Sequence, residues 1–304
     1  MEILNQNLAA LALGLVIAGL SASENTSSAA TLNDYFNFTT YGSVAGGNTI
    51  ADQLGNATAT VKSTGTTLDG SGLTIAAGNN AGTTGVSMAG SQLSSFTGDF
   101  SIQIWYISPA SILGNTMLFG GTTTASQDGT LAGDQAFFAG YANVNPNFIR
   151  PIVGNNSKYG AVMATPGGTG ATSSTLYDYV ITYSAASHTF TAYMDGTQVG
   201  SPLAVTYFNG LSALTSGFSI GGVANPAFGD NAAAANISDF LIYSSTLSST
   251  EVSDVHSLGA GASVNSLQGA GVTVVPEPST FALAALGGLS LLVLRQRSAR
   301  QRDF

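Results

Sequence analysis

Cysteine is absent from all 304 residues, so no disulfide, thiolate zinc site or cysteine nucleophile is available. Charge is scarce as well: 8% of residues are Asp, Glu, Lys or Arg, against roughly 25% in an average soluble protein. Gly, Ala, Ser and Thr fill the gap, and solubility rests on hydroxyls, amides and a few carboxylates. Basic side chains are the rarest. There are seven, and four of them, Arg295, Arg297, Arg300 and Arg302, stand in the last ten positions. The body keeps only Lys62, Arg150 and Lys158. With both ends set aside, 14 acidic side chains face 3 basic ones, a formal charge of −11. Such a surface repels phosphate backbones and excludes nucleic acid as a partner.

Glutamate is missing where glycoside hydrolysis would need it. That chemistry uses two carboxyl groups, one to protonate the leaving oxygen and one to attack or to activate water. The four glutamates are Glu2, Glu24, Glu251 and Glu277, and each belongs to an end segment or a helix cap. No two aspartates share a strand at i, i+2 spacing. His188 and His256 have no Asp or Ser at a triad spacing and read as surface residues. The expectation is a protein that is not an enzyme.

Both ends read as export machinery. Leu8 to Leu20 is an apolar run of 13 residues followed by Ser21-Ala22-Ser23-Glu24, the length and small-residue exit of a secretory signal peptide over residues 1–23. Its n-region carries Glu2 where a positive charge is expected. Such a signal is read by the Sec machinery. At the other end Thr280 to Leu294 is a second apolar run, closed by the arginine cluster, and basic residues mark the cytoplasmic side of a membrane helix. Fifteen helical residues reach only about 22 Å, short of the ~30 Å hydrocarbon core, so snorkelling arginines must cover the difference. Val275-Pro276-Glu277-Pro278-Ser279, the apolar run and Arg295, Arg297, Arg300 and Arg302 together resemble the PEP-CTERM sorting signal over residues 275–304. The resemblance implies an exosortase as partner, an inner-membrane precursor held by the C-terminal helix, and a product at the cell surface or outside it. The two prolines hold the motif extended, as a protease requires.

Between the ends, short runs of strand type are cut by Gly, Ser, Asn and Asp. Phe100 to Tyr106 places Phe100, Ile102, Ile104 and Tyr106 on one face and Ser101, Gln103 and Trp105 on the other. Tyr179 to Tyr183 and Thr189 to Met194 form a hairpin around Ser184 to His188, and Asp195-Gly196 suits the next tight turn. Ser248-Ser249-Thr250-Glu251 is a capping box that opens one helix, with Gly259 as its stop. Residues 259–274, rich in Gly, Ala and Ser, read as a flexible linker.

In this order the pieces resemble a laminin-G-like, concanavalin A-like jelly-roll sandwich over residues 31–258. The opening strand with Asp52-Gln53-Leu54-Gly55-Asn56, the core strand Phe100 to Tyr106, the Tyr193-Met194-Asp195-Gly196 hairpin and the closing Ile237 to Tyr243 with Leu247-Ser248 and Glu251 carry the likeness. It implies an all-β fold with one short C-terminal helix. Calcium is a cofactor in some such sandwiches, with Asp52 and Asp239 as candidate ligands here. Tyr141, Phe148 and Tyr159, interleaved with asparagines in the middle of the chain, are candidates for stacking on a sugar face. The reading is thus an exported carbohydrate-binding or adhesion module acting in an extracellular polysaccharide matrix. The alternatives are a structural matrix protein without a specific ligand and a glycan-active enzyme.

Overall fold

The computed structural model describes residues 29–107, 116–123, 135–142, 145–155, 158–162, 174–206, 208–223 and 231–275. At positions 135, 141–142, 145–155 and 158–162 it describes the backbone path alone. The signal segment and the tail from Pro276 onward lie outside the described residues. Among the described residues, no helix is long and apolar enough to cross a membrane.

The chain opens with β1 (Thr31–Asn37), β2 (Thr49–Ala51), β3 (Thr58–Val61), β4 (Thr66–Leu68), β5 (Leu73–Ile75) and β6 (Val86–Met88). It continues through β7 (Phe100–Ile107), β8 (Thr116–Thr122), β9 (Gln135–Ala142), β10 (Asn145–Asn155), β11 (Lys158–Val162) and β12 (Leu176–Ser184). Then come β13 (Thr189–Met194), β14 (Thr197–Ala204), β15 (Phe218–Ile220), β16 (Asn231–Ala232) and β17 (Ala235–Tyr243). Two helices, α1 (Ser249–Ser257) and α2 (Val264–Gly269), precede β18 (Thr273–Val274). The first sheet runs β14-β13-β12-β7-β17-β1-β18, and β5 and β4 extend it beside β17. The second runs β11-β10-β9-β8-β15-β6-β3-β2, with β16 paired to β8. This is the jelly-roll sandwich expected from the sequence.

Strand alternation sets the interior. Phe100, Ile102, Ile104 and Tyr106 of β7 all face the second sheet and are fully buried, as their period-2 spacing requires. Phe119 of β8 meets Phe240 of β17 across the sandwich with ring centroids 5.4 Å apart, and Phe137 meets Phe100 at 5.9 Å. Turn chemistry holds the hairpin. Asp195 and Gly196 both sit at positive φ, 49° and 74°, the type I′ geometry whose twist matches the strands it joins.

The other face of the first sheet is covered too. Leu32, Tyr35, Val180, Leu241 and Tyr243 pack beneath Val252 and Val255 of α1, Leu267 of α2 and Val272. The capping box of α1 forms as expected. Ser248 Oγ accepts the Glu251 N–H and the Glu251 carboxylate accepts the Ser248 N–H.

The expected flexible linker is instead structured. Ser263 caps α2 by accepting the Ser266 N–H, Leu267 and Val272 are buried, and β18 pairs in parallel with β1. The physical reason is that two apolar side chains and a Ser cap suffice for one docked turn when a sheet face lies beside them, because packing rather than propensity stabilises short helices. The folded body therefore runs to Val275.

Candidate functional site

Three places gather polar chemistry. The first lies beneath the helices. β7 and β12 pair Trp105 with Asp178 and Val180 with Gln103, and α1 lays His256 over them. Gln103 Nε2 donates to Asp178 Oδ1 at 2.9 Å, and Tyr243 Oη donates to Gln103 Oε1 at 2.9 Å. His256 Nδ1 meets Asp178 Oδ2 at 3.1 Å, and its ring lies parallel to Trp105, 5.4 Å away and 5° from coplanar. Burial raises the Asp178 carboxyl to about 6, against the opposing pull of Gln103 and His256. Next to this, Asp239 accepts the Gly261 N–H (2.8 Å), and the single Tyr35 hydroxyl proton is shared between Asp239 Oδ1 (2.9 Å) and the Ala262 carbonyl (2.7 Å). The recess lined by Tyr35, Trp105, Asp239 and Leu267 has space for no more than about one water. These groups fasten the helices to the sheet and leave no room for a substrate.

His256 therefore departs from the surface reading: only 32% of its side chain is exposed. Nothing in the sequence brings it to Asp178, 78 residues away. The two candidate calcium ligands do not form a joint site. Asp52 spends its carboxylate on the N–H groups of Tyr35 (3.1 Å), Leu54 (3.2 Å) and Ala57 (2.9 Å), and Asp239 is committed as described. Burial raises both carboxyls, and the hydrogen-bond donors around them pull in the other direction. Among the described residues no cluster of three His, Cys, Asp or Glu side chains is arranged to hold a metal.

The second place is a pair of buried acids. Asp34 is 4% exposed and its Oδ2 has no hydrogen-bond partner. Burial, then the charge of Asp52, raises it to about 7.

The third is the outer face of the second sheet. Ile50, Ala59, Val61, Val86, Met88, Phe218 and Ile220 face the core, so by alternation Thr49, Thr60, Ser87 and Ser219 face outward. They stand in one line, because the registers pair Thr49 with Thr60, Thr60 with Ser87, and Ser87 with Ser219. The line continues to Gly120 and Phe138. A Cβ on Gly120 would lie 2.4 Å from Phe138 Cδ1, so the phenyl ring occupies the space over the glycine. Exposure falls along the row. Thr49 is exposed, Thr60 and Ser87 are half-buried, and Ser219 is fully buried with an unpartnered hydroxyl. Sequence reasoning missed this row, because each hydroxyl alone reads as a solvated strand position. Of the expected sugar-binding aromatics, Tyr141 lies on β9, Phe148 on β10 and Tyr159 on β11, in the far half of the same sheet. Their side chains lie outside the described residues, as do Pro276, Glu277, Pro278, Ser279 and the arginine cluster.

Comparison with known proteins supplies the relatives. The Laminin_G_3 family, described as the concanavalin A-like lectin/glucanases superfamily, matches residues 79–253, more than half of the chain. The PEP-CTERM protein-sorting motif matches residues 274–298. No curated protein matches the sequence. Among solved structures, the Trypanosoma rangeli sialidase bound to a difluoro-KDN is similar at 18% identity and a TM-score of 0.51, over 73% of this chain and 32% of that one. A T. rangeli sialidase mutant displaying trans-sialidase activity is similar at 13% identity and a TM-score of 0.50, over 78% and 33%. The chain thus spans about a third of the length of these sialidases, and at such identities the likeness concerns the fold.

Proposed function

The chain belongs to the concanavalin A-like lectin/glucanases superfamily, and on that premise we propose that it binds a neutral extracellular polysaccharide through the outer face of its second sheet. Its sorting motif marks an exported protein, held at the membrane before an exosortase processes it and then delivered to the cell surface. The observation that carries the binding proposal is the in-register row Thr49, Thr60 and Ser87, which ends at the buried Ser219. Three solvent-reachable hydroxyls on adjacent strands recur at the ~4.8 Å strand spacing, and each is both donor and acceptor. That suits the equatorial hydroxyls of a pyranose chain laid across the strands. Tyr141, Phe148 and Tyr159 supply stacking faces in this proposal. Charge selects the ligand class. A body with a formal charge of −11 repels uronate and sialate polymers as it repels nucleic acid. Lys62, moreover, spends its ammonium on the carbonyls of Gly82 (2.9 Å) and Val223 (2.8 Å).

A panel of neutral and anionic glycans tests this. The Thr60→Ala/Ser87→Ala double variant is expected to bind the neutral glycan at least about fivefold more weakly, at net values near 0.5–1.5 kcal/mol for each of two hydrogen bonds, with an unchanged melting temperature. Tyr141→Ala, Phe148→Ala or Tyr159→Ala should each lose roughly 0.5–1.5 kcal/mol of binding where the ring stacks on sugar. Failure of the intact protein to retain any neutral glycan rejects the proposal and leaves a matrix protein without a specific ligand. Sorting has its own test. Replacing Pro276, Glu277 and Pro278 together by alanine is expected to leave a tail-bearing precursor in the inner membrane, and unchanged product size would count against exosortase processing.

A further inference from the structure

The last described residues meet the first. β18 lies parallel to β1 with Thr31 opposite Thr273 and Leu32 opposite Val274. The Thr273 N–H donates to the Ala30 carbonyl (2.7 Å), and the Val275 N–H donates to the Leu32 carbonyl (3.1 Å). Asn56 closes the contact, because its Nδ2 donates both to the Asn33 carbonyl (2.8 Å) and to the Val275 carbonyl (3.1 Å). The turn that carries Asn56 is itself rigid. Asp52 accepts the N–H groups of Leu54 and Ala57 on either side of it, and Gly55 sits at φ 72°.

Val275 is the first residue of the sorting motif, and both of its backbone polar groups are thus engaged by the body. Pro276 has no N–H, so the ladder cannot extend past Val275, and proline biases its predecessor toward the extended conformation seen in β18. A peptidase that takes its substrate as an extended strand needs free backbone groups to pair with, and the N–H groups of Thr273 and Val275 and the Val275 carbonyl are already spent.

We propose that this edge of the first sheet is an intramolecular docking site for the segment leading into the sorting motif, with Asn56 as its positioning residue. Tail removal then falls C-terminal to Val275, and the processed protein keeps β18 as a strand of its fold. The peptide C–N bond that breaks lies beyond Val275. Its acyl carbon passes to water or to an acceptor nucleophile, and the leaving amine takes the proton. The inference rests on reading the tail as a sorting signal.

Two measurements test it on the full chain. The processed protein recovered from cells is expected to have an intact mass that includes Val275. A product ending upstream of Val275 overturns this inference alone, whereas a precursor that is never shortened overturns the sorting reading and this inference with it. In detergent, Asn56→Ala is expected to speed amide exchange over residues 273–275 about fivefold, the loss of one net hydrogen bond of about 1 kcal/mol, while β17 exchanges as in the parent. Thr273→Pro, which removes the donor to Ala30 from the other side, should do the same should Asn56→Ala fail to fold. Unchanged exchange in the folded variants overturns the docking role.

Discussion

Asp34→Asn is expected to abolish a loss of stability that the parent protein suffers between about pH 4 and pH 7. The Asp34 carboxyl is buried with one oxygen unpartnered, and burial together with Asp52 raises it from 3.8 to about 7. Across that window the folded chain holds a proton that the unfolded chain has already released, so stability falls as pH rises. The contribution is complete below the unfolded value and is lost above about 7. At 1.36 kcal/mol per pH unit between 3.8 and about 7, the loss is about 4 kcal/mol. Asparagine has no charge to bury. Its amide still lacks a partner, at a cost of about 1–3 kcal/mol, so the net gain at pH 8 is about 1–3 kcal/mol. Urea unfolding of both proteins at pH 4, 5.5, 7 and 8 reads this directly. Parallel pH profiles would show that Asp34 is not the titrating group.

Phe100→Ala should cost about 3–5 kcal/mol. Phe100 is fully buried, and its ring lies 5.3 Å from Tyr183, 5.9 Å from Phe137, and 6.1 Å from both Phe190 and Phe208. Removing it opens a cavity between the sheets that four other aromatic rings border and cannot all fill. For a domain of ordinary stability, about 5–15 kcal/mol, that loss is a large fraction of the total. Phe100→Leu keeps most of the volume and should lose less. A change below about 1 kcal/mol for the alanine variant would mean that the neighbouring rings collapse into the space.

The core was legible because its signal is local. Phe100, Ile102, Ile104 and Tyr106 declare their face by spacing alone, and Ser248 with Glu251 declares a helix start by chemistry alone. The cover over Ser101, Gln103 and Trp105 was not legible. A small polar face beside a tryptophan has the same pattern whether it meets water or a helix, and only the packing of Val252, Val255 and Leu267 decides it. The segment after Gly259 was misread for a related reason, since its Gly, Ala and Ser composition hides one Ser-capped turn and two apolar contacts. The hydroxyl row depends on the registers of four strands that are scattered from residue 49 to residue 219. The Asp178–His256 pair likewise joins two remote elements. Neither leaves a trace within a window of sequence.

The position of β1 between β17 and β18 carries a consequence for the order of events in the cell. Each pairing of β1 joins residues more than 200 positions apart, as Phe36 with Phe240 and Thr31 with Thr273. Contacts of such high sequence separation form late, because loop closure must precede any gain from them. A ribosome delivers β1 about 200 residues before β17 and later still β18, so for most of synthesis the first strand has no partner to zip against. The first sheet cannot take in β1 before β17 has emerged, and until then the N-terminal strand stays unpaired and threadable. An unpaired strand is the state a translocation channel needs, and this strand order supplies it.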